Sequence, residues 1–324
     1  MSVSARAGER VDSPERGILR AALISAGLFA TAVFAPMLGL TLLGLLAVLA
    51  AYPLALTRLG GTGMRGVWAE LVAALLVGSA APLSAAVAYL VLAAVPGLLM
   101  GESLTRGRGL LRGCGWAFGW LTTWCGALLV AAGPRLSAPL LAALDQMRGR
   151  EFLEQMRAQG VPFEQIDAWS VQAASVRELL AVIYPAFYIV LAGLAVGLNA
   201  WLIRRHLARH DPAWLEPGEF ENLRWPLATV VVFVLSAFGL LLPAARSAAA
   251  NALVLVAFLF VLQGLAVAAF VGRRLLPPAV PWIIAAILIL THVLVPLAVL
   301  ALLGLFDQWL NARRWAEAKA SEED

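Results

Sequence analysis

The chain has 324 residues, of which 61% are hydrophobic and 14% are charged, and its formal net charge is +4. A soluble core of this size does not need so much apolar surface, whereas residues that face the acyl chains of a bilayer must be apolar. The composition therefore excludes a soluble globular protein and predicts a polytopic membrane protein.

Apolar segments of roughly membrane-spanning length follow one another along the sequence, at 18–35, 37–56, 67–80, 82–100, 115–133, 179–203, 225–243, 250–271 and 281–305. They predict an all-α fold, a transmembrane helical bundle with about nine membrane segments. The third segment is short and Pro82 follows it, so a bundle of eight segments is the alternative. The first segment is too long for the hydrophobic region of a signal peptide, and we interpret it as an uncleaved span.

One sizeable polar insertion interrupts the apolar segments, at 134–178. Apolar side chains recur in it at helical spacing and charges fill the opposite face; the apolar ones are Leu140, Leu144, Met147, Phe152 and Met156. This pattern predicts amphipathic helices that lie at the outer membrane surface or cap the bundle. Two interpretations follow, a surface helix packed on its own protein and a lid over a substrate.

Arginines cluster at the ends of the apolar segments. If the N-terminus lies in the cytoplasm, the inner side carries most of them: Arg6, Arg10, Arg16, Arg20, Arg58, Arg65, Arg106, Arg108, Arg112, Arg204, Arg205, Arg209, Arg224, Arg273 and Arg274. The positive-inside rule therefore predicts a multi-pass protein with a cytoplasmic N-terminus. An odd number of spans leaves Arg313, Arg314 and Lys319 outside, against that rule. The pattern indicates contact with the lipid bilayer, and no nucleic acid is expected as a partner.

The motifs of enzymes are missing from the sequence. The single lysine lies in the C-terminal tail, so the phosphate-binding pattern Gly-x-x-x-x-Gly-Lys is absent, and neither His-Glu-x-x-His nor Gly-x-Ser-x-Gly occurs. Cys114 and Cys125 stand roughly 16 Å apart on one predicted helix, whereas a disulfide needs Cα atoms within about 7 Å. We expect no catalytic residues, no metal site and no cofactor.

Pairs of glycines four residues apart predict close contacts between helices, because they leave one helix face free of side chains. They are Gly97 and Gly101, Gly115 and Gly119, and Gly193 and Gly197. Asn251 and Gln263 also lie inside predicted spans, where side-chain amides form hydrogen bonds between helices. Packing within one chain is the main interpretation, and dimerisation is the alternative.

Six residues inside the predicted spans are candidates for a ligand pathway: Glu70, Trp120, Trp124, Tyr184, Asn199 and His292. Polar and ionisable groups are costly in a membrane and therefore mark functional sites there. Five of them also have a structural interpretation: an interfacial carboxylate facing Arg65 for Glu70, core packing for the tryptophans, and hydrogen-bonded packing for the asparagine and the histidine. Pro185 predicts a kink in the sixth segment, and kinked helices often line transporter cavities.

Several short motifs occur in a distinctive order along the chain. They are Ala35-Pro36-Met37-Leu38-Gly39, Tyr52-Pro53-Leu54, Arg58-Leu59-Gly60, Gly97-Leu98-Leu99-Met100-Gly101 with Arg106 and Arg108, Tyr184-Pro185, Leu223-Arg224-Trp225-Pro226, Asn251, Gln263-Gly264-Leu265, Leu303-Gly304-Leu305-Phe306-Asp307 and Arg313-Arg314. In this order they resemble the YybS-like family of bacterial membrane proteins, and the resemblance covers nearly the whole chain.

The N-terminal part of that family is similar to the S components of energy-coupling-factor transporters, which capture a vitamin or metal ion from outside while separate ATPases and a scaffold subunit drive its release. The resemblance implies a cytoplasmic tail at 1–17, an S-component-like six-helix region at 18–205 that includes the outer loop 134–178, a three-helix region at 206–305 without a counterpart in S components, and a polar tail at 306–324.

We therefore expect a membrane protein that binds or transports a small molecule without an ATPase of its own and works with other membrane subunits. The alternative, from a different class, is a non-transporting membrane scaffold of an envelope-associated complex.

Overall fold

A computed structural model describes residues 14–34, 41–59, 64–275 and 294–310. Its α-helices are α1 (Pro14–Phe34), α2 (Ala51–Leu59), α3 (Met64–Ala80), α4 (Leu83–Tyr89), α5 (Val95–Thr105), α6 (Leu110–Ala132), α7 (Ser137–Met147), α8 (Arg150–Ala158), α9 (Phe163–His210), α10 (Ala228–Gly239), α11 (Arg246–Leu275) and α12 (Leu294–Leu310). Short 3-10 helices lie at Thr41–Ala50, Gly133–Leu136 and Pro212–Trp214, and a π-helical turn at Leu90–Ala94 joins α4 to α5. No strand occurs in these ranges, and the predicted all-α fold is confirmed.

Apolar helices coincide with the predicted membrane segments. Within the part of the chain that the structure describes, five stretches are long and apolar enough to cross a membrane: Gly17–Phe34, Leu83–Thr105, Leu110–Ala158, Phe163–His210 and Arg246–Gly272. Shorter apolar helices lie at Leu45–Leu59, Val67–Ala80, Ala228–Gly239 and Val295–Leu310. The protein is thus a membrane protein with several apolar helices, and the first half of the predicted segment 281–305 lies outside the described residues.

Pro96 determines the local shape of the helix formed by α4 and α5. The N–H of Val95 bonds to the carbonyl of Leu90, five residues back, which is the π-helical pattern. In that pattern the carbonyl of Val91 would pair with the N–H of residue 96, but proline has none. The indole Nε1 of Trp120 on α6 donates to the Val91 carbonyl instead, at 3.1 Å. The proline thus creates an acceptor that a tryptophan satisfies.

The chain groups into two compact units. The first unit comprises Met1–Trp124 and Ala192–Pro217, and the second comprises Cys125–Leu191 and Gly218–Asp324. In this grouping the insertion 134–178 belongs to the same unit as the C-terminal helices, and the predicted division at residue 205 stays a prediction. The helices α6 and α9 are each long enough to contribute residues to both units.

Small residues bring α5 close to α2 in the first unit. A methyl group on Gly97 would lie 2.7 Å from the carbonyl oxygen of Ala51, and one on Gly101 would lie 2.7 Å from that of Ala55. Both distances are shorter than any van der Waals contact, so no larger residue fits without moving the backbone. The glycine pair therefore packs within the chain.

In the second unit, α11 and α12 make a still closer contact. A methyl group on Gly304 would overlap the carbonyl oxygen of Phe260, and one on Gly264 would overlap that of Leu300. The two backbones touch here, and the ring of Phe260 packs edge-on against Phe233 of α10, with centroids 5.8 Å apart. Glycine at both positions is what permits this crossing.

The predicted insertion is helical and packs on the start of α9. Arg177 Nε donates to Asp145 of α7 at 2.7 Å, and the rings of Phe152 and Trp169 lie 6.4 Å apart. The helix α9 begins at Phe163, earlier than the predicted segment 179–203, because Gly160-Val161-Pro162 ends α8 and no helix-breaking pair follows. At about 1.5 Å per residue it is roughly 70 Å long, so part of it extends beyond a hydrocarbon core of about 30 Å.

Candidate functional site

A row of charged side chains leads from the surface of the first unit into its interior. Arg106 donates from Nε to Glu102 at 2.8 Å, and Glu102 lies 3.7 Å from the guanidinium of Arg58 on α2. The exposed fraction of the side chain falls from 57% at Arg106 to 29% at Glu102 and 7% at Arg58. The charge of Arg58 also acts on the carboxylate of Glu70, which α3 holds in the interior.

Glu70 forms the inner end of this row. Only 6% of the residue is exposed, and no described residue donates a hydrogen bond to its Oε1. Tyr89 of α4 interacts electrostatically with Glu70, but its hydroxyl lies 2.7 Å from that of Ser25, which donates to the Ala50 carbonyl at 2.6 Å. Because Ser25 uses its proton on that carbonyl, Tyr89 donates to Ser25 and has no second proton for the carboxylate.

The close packing of α2 on α5 assembles this charged row. A methyl group on Gly101 would lie 2.8 Å from Cβ of Arg58. Because Gly101 has no side chain, Arg58 can approach Glu102, the next residue of α5. Sequence analysis selected Glu70 and the glycines but missed Arg58 and Glu102. The signal that could have identified them is a glutamate directly after a pair of glycines. A carboxylate at that position can pair with a buried arginine of the facing helix.

These groups can bind a charged group or a proton. A buried carboxylate oxygen without a donor favours a cationic group or a proton, since an isolated ionised carboxylate is costly in an apolar interior. Arg58 lies 3.7 Å from Glu102 and its charge also acts on Glu70, so it can compensate either carboxylate. Within the described ranges, no three His, Cys, Asp or Glu side chains come together in a group that could hold a metal ion.

Asn199 of α9 is the second buried polar candidate in the first unit. Its Nδ2 donates to the carbonyl of Val48 at 2.7 Å and to that of Ala195 at 2.8 Å, and 2% of the residue is exposed. Its Oδ1 is buried and receives no hydrogen bond from the described residues. The side chain thus ties α9 to the helix before α2 and retains one free acceptor.

The two candidate tryptophans occupy different environments. Trp120 is half-buried and its indole nitrogen is engaged by the Val91 carbonyl, so it completes the backbone hydrogen bonding of the α4–α5 helix. Trp124 is 36% exposed and its ring lies edge-on to that of Trp120, with centroids 5.9 Å apart. Trp120 therefore has a structural contact that the sequence did not reveal, while Trp124 presents an aromatic surface.

In the second unit, Asn251 of α11 is inserted into the hydrogen-bond ladder of α9 beside Tyr184 and Pro185. Its Oδ1 accepts from the N–H of Ala186 at 2.9 Å, and its Nδ2 donates to the carbonyl of Val182 at 2.9 Å. In an uninterrupted helix these two backbone groups would bond to each other. Pro185 prevents this, because its ring displaces the preceding turn, and the amide bridges the gap. Tyr184 is half-buried at this break.

Gln263 lies at the centre of a buried network in the second unit. Its Nε2 donates to Asp307 of α12 at 3.1 Å, and its Oε1 accepts from the backbone N–H of Trp225 at 3.1 Å and from Gln308 at 3.2 Å. Gln308 in turn donates to the carbonyl of Trp225 at 2.9 Å. Sequence analysis identified Gln263 alone. Its partners come from segments that are far apart in sequence, and no spacing rule connects them.

We predict that Gln263→Leu destabilises the protein by about 2–4 kcal/mol. The substitution leaves the N–H of Trp225 without its acceptor and takes a donor from the buried carboxylate of Asp307, and each loss costs on the order of 1–3 kcal/mol. Detergent-solubilised protein should show a matching fall in its thermal unfolding midpoint. Gln172→Leu, at an exposed position of α9, is the control, and an equal fall in both variants would contradict the prediction.

The other predicted residues differ in what surrounds them. A methyl group on Gly115, Gly119 or Gly197 would meet no atom within 4 Å, so these glycines face open space. Gly193 is half-buried, and His292 lies outside the described residues. The same small-residue spacing thus marks one closed helix contact, at α5, and open faces on α6 and α9.

The comparisons with known proteins agree with the membrane class. Residues 23–308 match the sequence model of the family described as Predicted membrane protein (DUF2232), and the chain belongs to that family. No curated protein and no solved structure matches the chain.

Proposed function

We propose that this protein is a multi-pass protein of the bacterial inner membrane that binds or transports a small molecule, without an ATPase of its own. The observation that carries the proposal is Glu70, a buried carboxylate with an unfilled acceptor at the inner end of a charged row. Ionisable side chains inside membrane segments generally mark substrate or ion pathways, because their burial is costly without a function. The resemblance to S components supports the same class, with other membrane subunits as the energy source.

Native mass spectrometry of the detergent-released protein tests this proposal. We expect a co-purifying non-lipid molecule in the wild type, and we expect Glu70→Gln to lose it, because the neutral amide changes the charge of the site. Glu154→Gln is the matched control, since Glu154 lies on α8, 53% exposed, and bonds to the neighbouring Arg150 at 2.7 Å. Protein without any non-lipid ligand in all three forms would contradict the proposal.

A scaffold for an envelope-associated complex is the second candidate, and one observation favours it. An open groove of about 220 Å³ on the first unit is lined only by apolar side chains of α1 and α3 and the turn after them, from Leu23 to Phe34 and from Leu76 to Ala81. Such a groove suits a partner helix or lipid better than a polar solute. Subunits that co-purify in place of a small molecule would favour this function.

The proposed orientation places the N-terminus in the cytoplasm and the α7–α8 region outside. We predict that Arg108→Cys, introduced into a variant without Cys114 and Cys125, is labelled by a membrane-impermeant maleimide only in inverted vesicles. Glu151→Cys in the same background should be labelled only in intact spheroplasts, because the single span α6 separates residue 108 from residue 151. Labelling of both from the same side would refute the orientation.

A further inference from the structure

Among the described residues, Glu70 is the buried polar group that packing explains least. It supports an inference beyond ligand binding. Other candidates are satisfied or lack a second observation. The network around Gln263 has its hydrogen bonds filled, and the amide of Asn251 is used by Ala186 and Val182 of α9 and by Ser247 of α11. The open faces of Gly115 and Gly197 show no feature that identifies what covers them.

The groups that face Glu70 are known on each packed helix. From α2 comes Arg58, and from α4 comes Tyr89, whose proton is committed to Ser25 of α1. Also on α2, Tyr52 pairs with His206 at 3.2 Å, and the one described charged residue of α1 with a placed side chain, Arg20, is exposed. Arg58 is therefore the charge available to compensate an ionised Glu70 among these residues.

The guanidinium of Arg58 also interacts with a second carboxylate, that of Glu102. Its Nη2 lies 3.7 Å from Glu102, and Glu102 is also bonded to Arg106 at 2.8 Å. Two carboxylates therefore compete for one buried guanidinium. When Glu70 is ionised, Arg58 must be shared between them, and when Glu70 is neutral, Arg58 can pair with Glu102 fully. The pair of carboxylates offers two charge states with the same backbone.

We propose that Glu70 is a proton-binding site of the first unit, and that its protonation frees Arg58 from compensating Glu70 and lets it pair fully with Glu102. A proton from water forms an O–H bond at the unfilled Oε1, the carboxylate charge is neutralised, and Arg58 moves to Glu102. Release reverses both steps, and no other reactant is consumed. The exposed fraction of the side chains rises from Arg58 through Glu102 to Arg106, and we place the exchange with water on that side.

A proton fits this position better than a bulkier cation. The position already holds a guanidinium nearby, which repels a second permanent positive charge in an apolar medium. A proton adds no volume, and it removes the charge of the carboxylate instead of pairing with it. The inference goes beyond the proposed function, because Glu70 can bind a proton whether or not a solute is bound.

Infrared difference spectroscopy of the purified full-length protein in lipid nanodiscs, stepped across the neutral pH range, tests the inference. We expect a carbonyl stretching band of a protonated carboxylic acid that appears as the pH falls and shifts in heavy water. The band should be absent in Glu70→Gln and unchanged in Glu154→Gln. If Glu70→Gln does not fold, Glu70→Asp should retain the band at a shifted frequency.

The outcomes separate this inference from the proposed function. A band that persists in Glu70→Gln, or the lack of any titrating band in the wild type, overturns the proton site even where mass spectrometry finds a ligand that depends on Glu70. A titrating band assigned to Glu70 in a protein that retains no small molecule upholds the proton site and removes the proposed function.

Discussion

Gly304→Ala is expected to unfold the contact between α11 and α12 and to lower the stability of the protein by about 3 kcal/mol or more. The added methyl group would overlap the carbonyl oxygen of Phe260, and this atom belongs to the backbone, which cannot rotate away. The helices must separate, and the hydrogen bond of 3.1 Å between Gln263 and Asp307 then breaks as well. Thermal unfolding followed by size-exclusion chromatography in detergent measures the loss.

The matched control for this prediction is Gly115→Ala, the same change on an open helix face. A methyl group there meets no atom within 4 Å, and alanine favours the helix over glycine by about 1 kcal/mol. We expect Gly115→Ala to keep or raise the unfolding midpoint. Equal destabilisation by both substitutions would show that the crossing of α11 and α12 is looser than described.

The comparison of these two glycines shows what sequence reasoning reaches and where it stops. Small-residue spacing identifies a bare helix face, and the face of Gly97 and Gly101 lies against the backbone of α2. It does not reveal whether another helix covers the face, because that depends on the tertiary arrangement. Gly264 and Gly304, which make the closest contact described, are single glycines on different helices, so no spacing pattern within one helix selects them.

The short motifs that the sequence analysis identified are more informative in combination than one by one. In the structure, motifs that are far apart in sequence contact each other in pairs. The Gly97–Gly101 motif packs on the helix that carries Arg58, Asn251 bridges the break at Tyr184-Pro185, and Gln263-Gly264 meets both Trp225 and the segment of Gly304 and Asp307. The sequence supplied the members of each contact, and only the fold supplied the pairing.

The candidate site also combines residues that the sequence could identify with partners that it could not. Composition was sufficient to predict an all-α membrane protein, and the cost of a charge in lipid was sufficient to select Glu70. The partners of Glu70 could not be predicted, since Arg58 was assigned to a segment end and Glu102 was not considered. The contact of Trp120 was also out of reach, because it depends on a carbonyl that becomes free only when Pro96 forces a π-helical turn.

Asn251→Leu is expected to cost about 2–5 kcal/mol, and Pro185→Ala should restore most of it. The leucine leaves the N–H of Ala186 and the carbonyl of Val182 without partners in an apolar setting, and each unsatisfied group costs on the order of 1–3 kcal/mol. When alanine replaces the proline, the ring no longer opens the ladder, and the two backbone groups can bond to each other. The unfolding free energies of the two single variants and the double variant form a thermodynamic cycle.

The sign of the coupling energy in that cycle distinguishes two roles for Asn251. If the amide stabilises α9 by bridging the break, the double variant must be more stable than the sum of the single changes predicts, by at least about 1 kcal/mol. If Asn251 acts only through its own contact with Ser247, one turn back on α11, the two changes add and the coupling vanishes. Additive energies would therefore refute the bridging role and leave the break at Pro185 to be satisfied by other groups.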